Sequence, residues 1–141
     1  MEKIVHLYQE TGYTCLCAVA RMLLEAKGIS MSELEIELAM KIVEGKGGSV
    51  KQLMDFLLKY GFEIDIYEDS SIKELSKTDG IKLLLFSIYD IPHVAIIKDI
   101  SGGNIRLLDP SEGKTCMSLK EMEKSWFTDE NKKSFISIKE I

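Results

Sequence analysis

The chain lacks the linker stretches, paired cysteine spacings and long apolar runs that mark multidomain, disulfide-stapled or membrane-spanning proteins. Proline occurs only twice in 141 residues, and no stretch rich in Pro, Gly or Ser divides the sequence. A single domain is therefore expected over 1–141, long enough to bury a core without staples. Cysteine occurs three times, an odd count without disulfide spacing, which predicts free thiols in a reducing compartment, the cytoplasm. No apolar run approaches the ~18 residues of a membrane span. The longest, "IKLLLF" and "VAII", are strand-sized, and "MEKIVHLYQE" has too short an apolar core for a secretory signal. A positive balance is lacking too: the net charge is −5 and no basic cluster occurs, which argues against nucleic acid as a partner.

What is present is apolar patterning, and its period changes near residue 62. Before that point helices are expected. Thr14 can cap a first helix that runs to Ala26 or Lys27 and stops at Gly28, with Leu16, Val19, Ala20, Leu23 and Leu24 on one side. Ser32 with Glu35, and Ser49 with Gln52, have capping-box spacing. The helix after Ser32 carries Leu34, Leu38 and Ile42 at four-residue spacing. The helix after Ser49 has an apolar face of Val50, Leu53, Met54, Leu57 and Leu58, closed by Gly61. Beyond it "FEIDIY" alternates as a half-buried strand does, whereas "IKLLLFSIY" and "HVAIIKDI" read as central strands. "SGGN" supplies a hairpin turn into "IRLLD", "DPSEG" is a further turn, and "SFISIKEI" alternates again. Ser71 with Glu74, and Ser118 with Glu121, start short helices. The expected class is α+β, with a helical part over about 1–61 and an antiparallel sheet part over about 62–141.

Three kinds of chemistry are open to the cysteines. "EGKGGS" lacks the pattern of a phosphate loop and follows a helix, so it reads as a flexible connection. Cys15 and Cys17 form a C-x-C without a second pair, a poor match to zinc or dithiol spacing, so no metal or cofactor is expected. From the helix pattern alone both thiols read as small buried hydrophobes. The rest of the chain changes that balance. His93 opens the strand after Pro92, Asp109 ends the strand before Pro110, and the "SGGN" hairpin brings both to the same far end of the strand pair. An imidazole oriented by a carboxylate is the base of a Cys-His-Asp system, and a thiol in the first turn of a helix is the nucleophile such a base serves.

These residues resemble the bacteriocin-processing, double-glycine leader peptidase family, papain-like cysteine proteases best known as the peptidase domain of peptidase-containing ABC transporters. The likeness covers nearly the whole chain. Gln9, then Cys15 six residues on, then Met22 is similar to the family's opening. "GKGGSVKQLMDFLLKYGFEIDIY", "PHVAIIKDI" and "IRLLDPSEGKTCMSLKEMEKSWF" follow in the family's order. Thr14 and Leu16 stand where the family usually has Asp and Gly.

The resemblance implies a papain-like fold, its N-terminal helical part packed on a C-terminal antiparallel sheet. It implies Cys15 as nucleophile, His93 as base and acid, Asp109 as orienter, and Gln9 as oxyanion donor together with the Cys15 amide. It also implies a substrate: a ribosomally made precursor peptide with an amphipathic leader, cut behind a Gly-Gly or Gly-Ala type site. A membrane transporter, in cis or in trans, would be the partner, which puts the chain in the cytoplasm or at the inner face of the membrane. Two other readings use the same residues: a papain-like amidase or acyl transferase, and a non-catalytic leader-docking domain.

Overall fold

The computed structural model describes residues 3–88, 91–126 and 132–140. The chain divides into two compact units. One comprises Met1–Glu63, Pro110–Gly113 and Glu140–Ile141; the other comprises Ile64–Asp109 and Lys114–Lys139.

The first unit is built on α1 (Cys15–Ala26), α2 (Glu33–Met40) and α3 (Val50–Leu58). In α1 the expected stripe is buried, but so are Cys17, Ala18 and Met22. The helix is therefore covered on several sides, which its small residues permit. It ends as expected, with Gly28 at φ +87° and the Ile29 amide returning to Leu24 O at 2.9 Å. Lys27 donates to the Tyr60 carbonyl just beyond α3, and its ammonium lies 4.9 Å from the centre of the Phe62 ring. Both capping boxes form, at Ser32–Glu35 and Ser49–Gln52.

The apolar face of α2 differs from expectation. Leu34 and Leu38 are 61% and 71% exposed, and Ile36 and Met40 are buried instead. The buried Glu33 carboxylate accepts the Glu10 amide at 3.0 and 3.2 Å, which orients the helix by a polar contact that four-residue apolar spacing does not reveal. In α3, Phe56 is buried while Leu58 is 54% exposed, so the face turns slightly from the expected one.

The second unit holds most of a six-stranded sheet. Its strands are β1 (Phe62–Tyr67), β2 (Ile81–Ile88), β3 (Ile91–Ser101), β4 (Asn104–Asp109), β5 (Gly113–Ser118) and β6 (Ser134–Glu140), in the order β1-β6-β2-β3-β4-β5. The two strands expected to be central are central. Tyr89 and Ile141, each read as the end of a strand, lie outside the described residues. β5 was not legible as a strand: it sits at the sheet edge with Lys114 and Cys116 exposed, so it lacks an apolar signature. Helices α4 (Ile72–Lys77) and α5 (Leu119–Ser125) complete the unit. One face of the sheet packs Leu84, Phe86, Ala95, Ile97, Ile105 and Leu107 with Leu75, Met122 and Trp126. Among the described residues, no helix is long and apolar enough to cross a membrane.

The register between β3 and β4 changes partway along. Near the turn Ser101 pairs with Asn104, Ile100 with Ile105 and Asp99 with Arg106; past a bulge at Lys98, Ile97 pairs with Leu107 and Ile96 with Leu108. The extra residue lets Ile97 and Ile100, three positions apart, both pack against the same core face.

Trp126 is fully buried, and its indole N–H donates to Ser134 O at 2.8 Å. Trp126→Ala should lower the unfolding free energy by about 3–5 kcal/mol. Trp126→Phe keeps most of the packing but loses the indole bond to the Ser134 carbonyl, and should cost less, about 1–3 kcal/mol. Urea titrations of the three proteins would check the order.

Candidate active site

The sheet brings two of the expected residues together. His93 faces Phe86 across β2 and β3, with the rings edge-to-face at 5.3 Å. If the register past the bulge is continued by one position, Asp109 falls opposite Ala95, on the same face as His93. There His93 Nε2 lies 2.7 Å from Asp109 Oδ1. The side chains are 11% and 3% exposed, so the pair is shielded from bulk water. An ionised Asp109 keeps a proton on Nε2, and the lone pair of the neutral ring then sits on Nδ1. The arrangement provides an oriented base whose charged form has a counter-ion in place.

Gln9 and Cys15 belong to the first unit. Cys15 is the first residue of α1 and is partly buried. Its neighbour Cys17 is fully buried, and its thiol is pushed up to about 12, chiefly by burial and then by the Glu33 and Glu37 carboxylates and Cys15. Cys17 is therefore held as a neutral thiol, inert as a nucleophile. Cys116 is exposed on β5. Leu16, the bulky residue after Cys15, is buried, and a Cβ added at Gly48 would meet its Cδ1 and that of Ile42. Gly47 has φ +72°, and a Cβ there would lie 3.3 Å from the Tyr13 carbonyl oxygen. The stretch 44–49 is mostly exposed, and it is the end with Gly47 and Gly48 that lies near Tyr13 and Leu16.

Gln9 opens the loop that leads to Cys15. Its backbone N–H donates to Pro110 O at 2.8 Å, and its side-chain Nε2 donates to Thr11 O at 2.7 Å. Thr14 corrects an expectation. It occupies the N-cap position of α1, but its side chain makes no capping bond. Instead its Oγ1 accepts the Thr11 N–H at 3.2 Å and lies 2.8 Å from Thr11 Oγ1. Sequence reading missed Thr11, Glu33 and Phe86. Only Thr11 left a trace, as the first member of a T-x-x-T whose hydroxyls can reach one another across a turn. Among the described residues, no three His, Cys, Asp or Glu side chains converge as metal ligands would.

A helix that begins at a thiol, and a sheet that carries an imidazole–carboxylate pair, are the parts of a papain-like fold. The chain belongs to the Peptidase C39 family, whose profile matches residues 3–129. Solved structures agree on the fold. The peptidase domain of Streptococcus ComA, a bi-functional ABC transporter involved in quorum sensing, has a TM-score of 0.80 at 15% identity, covering 99% of this chain and 100% of that one. A double glycine motif protease from an AMS/PCAT transporter, in complex with the leader peptide, has a TM-score of 0.81 at 16% identity, covering 99% and 93%. The N-terminal peptidase C39 like domain of a toxin secretion ATP-binding protein from Vibrio parahaemolyticus has a TM-score of 0.64 at 9% identity, covering 93% and 99%. No curated protein matches the sequence significantly.

The raised Cys17 thiol has a consequence for stability. A thiol that ionises near 9.0 in the unfolded chain, but only near 12 in the fold, favours unfolding progressively as pH rises above 9. Thermal melts at increasing pH should therefore fall more steeply for the parent than for Cys17→Ala between pH ~9 and ~11. Parallel slopes would show that Cys17 ionises as freely in the fold as out of it.

Proposed function

We propose that residues 1–141 form one thiol-peptidase domain that removes the leader from a ribosomally made precursor peptide behind a Gly-Gly type site. Cys15 is the nucleophile, His93 the base and acid, Asp109 the orienter and Gln9 the oxyanion donor. The observation that carries this reading is the shielded 2.7 Å contact between His93 Nε2 and Asp109 Oδ1. Family membership supports thiol chemistry. The thiol inventory supports Cys15, because it alone begins a helix while Cys17 is buried and neutral. Chain connectivity supports Gln9: Pro110, whose carbonyl holds the Gln9 amide, directly follows Asp109. The leader-bound transporter protease and the ComA domain support a leader peptide as substrate and an ABC transporter as partner, in cis or in trans. In either case the domain works on the cytoplasmic side.

In this mechanism His93 Nδ1 takes the Cys15 proton, and the thiolate adds to the carbonyl carbon of the second Gly. The C–O π electrons move to oxygen, where Gln9 Nε2 and the Cys15 amide stabilise them. Collapse breaks the C–N bond as Nδ1–H protonates the leaving amine. Water, deprotonated by His93, then releases the leader as an acid and restores the thiol.

Incubation with precursor peptides, followed by mass spectrometry, tests this directly. The parent should release the leader with its Gly-Gly end, and Cys15→Ala should release none. Gln9→Ala should lose on the order of 10²–10³ in turnover. Asp109→Asn should lose less than His93→Ala, because the orienter carries no proton itself. Iodoacetamide at mildly acidic pH should alkylate Cys15 ahead of Cys116 and Cys17, since a helix start favours the thiolate. Equal rates at Cys15 and Cys116, or full activity in Gln9→Ala, would overturn the residue roles.

A further inference from the structure

Thr14 is 1% exposed and precedes Cys15, yet its hydroxyl turns away from the helix it begins. A threonine at an N-cap ordinarily gives its oxygen to the amide two or three residues on, here Leu16 or Cys17. Thr14 instead spends its hydroxyl on Thr11. It accepts the Thr11 N–H at 3.2 Å, lies 2.8 Å from Thr11 Oγ1 and has Thr11 O within 3.3 Å. That same Thr11 carbonyl takes the Gln9 side-chain amide at 2.7 Å. Among the described residues Gln9 Oε1 is buried without a hydrogen-bond partner, so the Thr11 bond through Nε2 is what fixes the amide plane there. The contacts form one chain: buried hydroxyl, turn, carbonyl, amide.

We propose that Thr14 is a positioning residue, setting the Gln9 amide through Thr11 while leaving the first-turn amides of α1 without a side-chain cap. The inference rests on the peptidase reading given above. Two effects follow from one side chain. With Thr11 O held in place, one Nε2 hydrogen is committed to it, and the direction of the second hydrogen is thereby set. The amides of Leu16 and Cys17, which a conventional threonine cap would engage, take no bond from the Thr14 hydroxyl. An aspartate at this position would bring a carboxylate to the same turn; threonine makes the turn contacts without adding a charge beside the thiol.

The test compares Thr14→Val, which keeps the shape but has no hydroxyl, with Thr14→Ser, which keeps the hydroxyl. Thr11→Val serves as a second probe, at an exposed site. Thr14→Val should lower kcat by about 10–100-fold with KM nearly unchanged, as expected for a donor moved out of line. Thr14→Ser should remain within about three-fold of the parent, and Thr11→Val should fall between the two. In a Gln9→Ala background Thr14→Val should cost little more, because the two act through one group. Additive losses in the double variant, or an unchanged kcat in Thr14→Val, would overturn the proposal. A readout without substrate separates this failure from failure of the peptidase reading. The ¹⁵N-correlated signals of the Gln9 side-chain amide should shift and broaden in Thr14→Val and stay in place in Thr14→Ser. If they do not move, the inference is wrong even where the parent cleaves the peptide. If they move while the parent cleaves nothing, the coupling stands and the peptidase reading falls.

Discussion

The second unit depends on one surplus residue in β3. Pairing one-for-one from Ser101–Asn104 would set Asp109 opposite Ile96, on the sheet face away from His93. The bulge at Lys98 removes that mismatch, and the Asp109 carboxylate arrives on the face where His93 and Phe86 already meet. Because side chains alternate with a period of two, a slip of one residue is the difference between a hydrogen bond and two unrelated polar groups. The same correction seats Ile97 and Ile100 in one core, so hydrophobic burial stabilises the register that the polar pair needs.

This also marks the limit of what the sequence could convey. Glycines in the turn and apolar runs on either side were enough to bring His93 and Asp109 to one end of a strand pair. They were not enough to choose the face, because a bulge is the outcome of competition between two buried surfaces and has no residue signature of its own here. The helices show a similar division. Capping boxes are local and reciprocal, so Ser32, Glu35, Ser49 and Gln52 were readable and formed. The buried side of α2 was not, because Glu33 is fixed by the distant Glu10 amide and thereby turns Leu34 and Leu38 outward.

Cys15 and Cys17 show how far chemistry can diverge over two positions. A helix rotates about 200° between them. One thiol ends up in the first turn, partly accessible, and the other fully buried, with two carboxylates that oppose its ionisation. Their types are identical, so composition could not separate them; only the helix start could. Thr14 was read as that start from its type, and the position is right. The direction of its hydroxyl was illegible, since it depends on whether Thr11 offers a better partner than the helix does.

The burial of Cys17 makes α1 report on its own opening. A thiol with no exposed surface reacts with a reagent only when the segment around it opens, so its alkylation in the native protein measures the free energy of that excursion. Where closing outpaces alkylation, the rate gives the equilibrium population of the open form; where reagent is in large excess, it gives the opening rate itself. Cys116, exposed on an edge strand, supplies the unprotected reference within the same molecule. The chain thus carries its own probe for the opening of the helix that Cys15 begins.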